Sequence, residues 1–105
     1  MRVADLPGFG HDWDLNGLDP EWPVEIRMVD VFPVGEMAIS DLDATARYEK
    51  AYRRYGPWAL PPIVSLRDER RRTGDVILTG AHRMYAAHRV GIRRIPELLV
   101  HVIVE

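Results

Sequence analysis

The sequence predicts a small α/β (α+β) domain, a mixed sheet flanked by helices, and three observations lead there. Apolar, β-branched runs with strand patterning recur at residues 24–34, 63–66, 76–78 and 99–104. Residues 43–55 and 81–90 keep helical spacing instead. The chain has 105 residues, enough for one core and too few for a second folding unit.

Residues 1–23 form a lead rich in Gly, Pro and Asp, with Phe9, Trp13 and Trp22 scattered through it. It shows no sustained period of two or of 3.6 residues. Three large aromatic faces argue that this arm wraps the remainder, residues 24–105, and caps an edge or a dimer contact. The alternative is an acidic segment that binds a protein partner or a second copy, because Asp5, Asp12, Asp14, Asp19 and Glu21 face only Arg2.

In the first strand Ile26, Met28, Val29 and Val31 supply apolar positions and Pro33 is the stop. Gly35, Glu36 and Met37 make a turn. The following helix takes Asp43 or Ser40 as its N-cap. Ala44, Tyr48, Ala51, Tyr52 and Tyr55 form its apolar stripe, Arg47, Lys50, Arg53 and Arg54 its basic face, and Gly56-Pro57 its end. Two prolines hold residues 58–62 extended. A charged hairpin over residues 67–75 joins the second and third strands, and its arginines 70–72 read as a solubilising tip. In the second helix Ala81, Met84, Ala87 and Val90 are small enough to lie close to a sheet, and Gly91 follows as a C-terminal cap. Residues 86–92 also resemble the turn of a helix-turn-helix. Pro96 would then fall inside the recognition helix, and the nearly unbroken apolar run at 99–104 reads instead as a buried central strand.

Cysteine is absent, which excludes disulfides, thiolate zinc sites and a cysteine nucleophile. No apolar run is long enough for a membrane span and no basic-then-apolar leader opens the chain, so a soluble, cytoplasmic protein is expected. A formal net charge of -2 argues against a general nucleic-acid binder and leaves nucleic acid a disfavoured partner. No His, Asp and Glu spacing marks a metal site; Mg²⁺ is expected only with a bound nucleotide.

The chemistry concentrates where the third strand turns into the second helix. Thr79 offers a hydroxyl, Gly80 lets an anion approach the backbone, and the first amides of the helix at Ala81 and His82 point outward beside the side chains of His82 and Arg83. Unpaired amides, a helix dipole and a guanidinium together favour phosphate. His82 could instead bond a nearby loop, and Arg83 could clamp Asp75 or Glu97. His88 and His101 read as structural.

Leu60-Pro61-Pro62-Ile63-Val64, the hairpin, the box Leu78-Thr79-Gly80-Ala81-His82-Arg83, Gly91 and Ile95-Pro96-Glu97 follow one another in an order that resembles the ParB N-terminal and sulfiredoxin-like superfamily. The resemblance covers about the last half of the chain. It implies a nucleoside triphosphate, ATP or CTP, with Arg47 and Lys50 of the preceding helix assisting. The reactive cysteine of sulfiredoxins is replaced by Ala81, so that activity is excluded. The ParB box glutamate is missing, and Thr79 stands where free-serine kinases of the superfamily carry an aspartate. Glu36, an acid in the loop after the first strand, is the candidate catalytic residue. Two functions follow from the resemblance. One is nucleotide binding with slow hydrolysis or phosphotransfer; the other is a degenerate module that binds a protein partner or, less favoured, DNA.

Overall fold

The computed structural model describes residues 1–11, 13–35, 41–71 and 74–104. Four strands, β1 (Val24–Asp30), β2 (Ile63–Arg67), β3 (Val76–Thr79) and β4 (Arg94–His101), form one mixed sheet in the order β1-β4-β2-β3. With its helices this is an α+β fold. β4 runs antiparallel to β1 and parallel to β2, and β2 and β3 form an antiparallel hairpin. Flanked on both sides, β4 buries every residue from Ile95 to Val100. The helix-turn-helix reading fails here, because a central strand occupies the place of the recognition helix.

Strand ends are set by partners. β1 stops at Asp30, short of Pro33, because β4 begins opposite it at Arg94. β4 in turn starts five residues earlier than its apolar run and stops at His101, leaving Ile103 and Val104 exposed. Pro96 is tolerated inside this central strand for a geometric reason. The Val31 N–H donates to Arg93 O and the His101 N–H to Pro23 O, so odd-numbered residues form the hydrogen-bonded pairs between these strands and even-numbered ones, Met28 and Pro96 among them, the non-hydrogen-bonded pairs. Pro96 therefore directs its nitrogen toward β2, whose first residue, Ile63, lies opposite Glu97, past the proline.

α1 (Trp13–Asn16) is a single turn in the arm; α2 (Leu42–Tyr55) and α3 (Ala81–Arg89) are the two packed helices. Asp41, not Asp43 or Ser40, caps α2: its carboxylate accepts the Ala44 N–H at 2.9 Å. Ser40 lies outside the described residues. Gly56, with φ of 84°, closes α2 by donating its N–H to Tyr52 O. Tyr52 and Ala44 are buried, as expected of the stripe, but Tyr55, on the last turn of α2, is 69% exposed. α3 buries Met84, Ala86 and Ala87, and the small alanines let it approach the sheet.

The two faces of the sheet are covered differently. Tyr52, Met84, Ala86 and Ala87 from the helices meet Ile63 and Ile95 on one face. On the other, Val3, Leu6 and Leu15 of the arm pack on Val24, Val64, Leu98 and Val100, with Phe9, Leu18 and Trp22 around them. Strand alternation sends neighbouring residues such as Ile63 and Val64 to opposite layers. The arm is thus part of the core, tied by Trp22 Nε1 donating to Ile103 O at 3.0 Å. Among the described residues, no helix is long and apolar enough to cross a membrane.

Candidate functional site

β3 ends at Thr79 and α3 begins at Ala81, so the reversal falls on Gly80, at φ of 117°. A side chain there is strained by the backbone and has no room: a Cβ would sit 2.7 Å from Ile63 Cβ. The glycine therefore lets the turn close onto β2. Gly80 has no side chain with which to cap the N-terminus of α3, and no acid lies in the first turn of the helix.

Arg83, in that first turn, donates from Nη1 to Pro61 O at 2.6 Å and Pro62 O at 3.0 Å. The fold clamp expected with Asp75 or Glu97 is therefore formed with the backbone of the Pro-Pro connector. Residues 61 and 62 precede β2, where their carbonyls have no ladder partner, and the guanidinium satisfies them. Arg83 also acts on Tyr52, whose hydroxyl is pushed upward in pKa by burial and pulled back by this cation. Thr79, Ala81 and His82 lie half-buried around the same corner.

Arg47 and Lys50 are exposed and do not face this turn. They lie roughly 140–160° around α2 from Tyr52, which does. Glu36 lies outside the described residues. A cleft of about 270 Å³ does open between α2 and α3, but beside Tyr85 and Arg89, at the other end of α3. Among the described residues no group of His, Asp and Glu side chains is placed to hold a metal ion.

Asp75 and Glu97 belong to a second polar group. Glu97, 5% exposed, accepts from Arg27 Nε at 2.7 Å and from Ser65 Oγ at 2.9 Å. Arg27 Nη2 also donates to Asp75 at 2.8 Å, and Arg67 binds the same carboxylate through Nε and Nη2 at 2.9 and 3.0 Å. Arg67 and Arg27 hold the Asp75 carboxyl below the usual aspartate range. Side chains from β1, β2 and β4, with Asp75 just ahead of β3, are cross-linked on one face. The sequence signal was a lone glutamate inside an apolar strand, which requires a partner on a neighbouring strand. At the hairpin, Arg70 pairs with Asp68 at 2.6 Å and lowers its pKa to about 2. His101 meets Glu25 at 3.2 Å, while His88 is exposed.

Compared with protein-family models, curated proteins and solved structures, the chain has no match.

Proposed function

We propose that the chain is a nucleoside-triphosphate-binding domain of ParB/sulfiredoxin-like type that grips phosphate at the turn from Thr79 to Arg83. The observation that carries this reading is the start of α3: a glycine at the N-cap, no acid in the first turn, and His82 and Arg83 both within it. The ligand is ATP or CTP with its Mg²⁺, gripped by the Ala81 and His82 amides, the Thr79 hydroxyl and the His82 ring. Arg83, anchored on Pro61 and Pro62, adds positive charge from a fixed position. Arg47 and Lys50 contribute only to a ligand that reaches around α2. Any hydrolysis or phosphotransfer would need an oriented acceptor, for which Glu36 is the residue to test.

The test is thermal denaturation with millimolar Mg²⁺ and ATP or CTP. Binding raises Tm, and His82→Ala removes the rise. Arg83→Ala also removes the clamp on Pro61 and Pro62, so each variant's rise is read against its own Tm without nucleotide. No rise with any nucleotide sinks the reading.

A second reading, a degenerate module that binds a protein partner or another copy of itself, is favoured by a separate observation. Gly80 and Arg83 both have structural partners, Ile63 and the two proline carbonyls. Such a box holds the fold together whether or not a ligand arrives.

A further inference from the structure

We infer that the outer surface of α2, continued by Trp58, is a binding track for single-stranded nucleic acid. This surface is separate from the turn at Gly80. The sequence as a whole is acidic, but the fold sorts its charge into layers. The arm, with five acids against one arginine, covers one face of the sheet. The helices on the opposite face carry six basic residues, Arg47, Lys50, Arg53, Arg54, Arg83 and Arg89, against Asp43 and Glu49. Glu49 is already paired with Arg89 at 2.5 Å, which takes one charge of each sign out of the balance and leaves five bases against Asp43. Among the described residues no ion pair engages Arg47, Lys50 or Arg53.

Arg47, Lys50 and Arg54 follow at i, i+3 and i+7, a single stripe about 10 Å long on the solvent side of the helix. At its C-terminal end stand two aromatic rings that the core does not use. Tyr55 is 69% exposed and Trp58 62% exposed. The Arg54 guanidinium lies 5.3 Å from the centre of the Tyr55 ring, a pairing of cation and π face. Gly56, at φ of 84°, ends α2, and the exposed Trp58 follows two residues later in the chain.

Aligned cations beside open aromatic faces match the two recurring features of a single strand, an evenly charged backbone and bases free to stack. An acidic peptide would use the cations and leave the rings without a role. A duplex would satisfy the cations but keep its bases stacked internally. A second copy docking through the carboxylates of its arm would likewise use the cations and leave the rings without a role.

The probe is a fluorescein-labelled 16-nucleotide oligothymidylate, titrated with the full chain and followed by anisotropy. Binding is expected, with log K falling against log salt at a slope of about -2 to -3, the value for three or four phosphates on a single strand. Trp58→Ala weakens it about tenfold, Tyr55→Ala does so to a similar or smaller degree, and Trp58→Phe retains most of it. Lys50→Glu with Arg47→Glu flattens the salt slope. These positions are exposed, and an unchanged Tm checks that each variant is folded. Equal affinity for a duplex of the same length overturns the proposal, as does Trp58→Ala without effect. So do competition by polyglutamate as strong as by unlabelled oligothymidylate and a salt slope near zero. Mononucleotide binding at the Gly80 turn is read by Tm, so either proposal fails without the other.

Discussion

Gly80 lies against Ile63 so closely that a Cβ on the glycine would come within 2.7 Å of the isoleucine Cβ. The same residue adopts a positive φ of 117°, so two independent costs fall on any substitution. Gly80→Ala is expected to destabilise by about 2–4 kcal/mol, read by urea denaturation. In an Ile63→Ala background the added cost of Gly80→Ala should shrink in part, since the contact with the isoleucine Cγ2 is lost while the Cβ contact and the backbone strain remain. An unchanged cost in the double variant would show that the contact with Ile63 is irrelevant.

Arg83 tethers the start of α3 to the connector ahead of β2 through two hydrogen bonds from one nitrogen. Arg83→Ala should lower stability by about 1–3 kcal/mol, because the two proline carbonyls lose a charged donor. Arg83→Lys should recover part of it. Hydrogen exchange at α3 should rise in the alanine variant before that of β4 does. Equal protection in variant and wild type would leave the tether without energetic weight.

Glu97 is the buried end of the Arg27 pair and the acceptor for Ser65. Glu97→Ala should cost about 2–4 kcal/mol, since it strands a buried hydroxyl and removes one of Arg27's two carboxylates. Ser65→Ala, which removes a donor without stranding a charge, should cost about 1 kcal/mol. Denaturant midpoints for the two variants test that order, and a reversed order contradicts the assignment of Glu97 as the centre of the group.

Asp75 titrates below its ordinary value because Arg67 and Arg27 hold its charged form. A depressed folded-state pKa gives stability that is present above the unfolded aspartate value, about 3.9, and lost as pH falls through the folded pKa. Tm should therefore decline from about pH 4 downward. Asp75→Asn should flatten that decline more than Asp68→Asn, although Asp68 is held at about 2, because among the described residues Asp68 pairs only with Arg70, two residues away on the hairpin loop. Equal slopes for wild type and Asp75→Asn would count against this account.

What could be read from the chain alone was whatever depends on near neighbours. The helices, their glycine ends at Gly56 and Gly91, the hairpin and the central place of the last strand all follow from spacing and turn chemistry within a dozen residues. The N-cap of α2 was missed by one or two residues because Ser40, Asp41 and Asp43 are all good caps and only the geometry selects Asp41. The box from Thr79 to Arg83 was also visible as a motif, with its cations and its glycine.

The partners of those residues were decided by tertiary structure. A guanidinium reaches several ångströms in any direction, so nothing local distinguishes Asp75 or Glu97 from the carbonyls of Pro61 and Pro62 as its target. Only the docking of the connector against α3 makes that choice. The same holds for the arm: its aromatic residues argued that it wraps the rest of the chain, but its irregular spacing did not identify Val3, Leu6 and Leu15 as the residues that complete one face of the core. Sequence set the periodicities, because these are properties of a few consecutive residues. Folding set which distant groups meet, because that depends on how the strands are ordered in space.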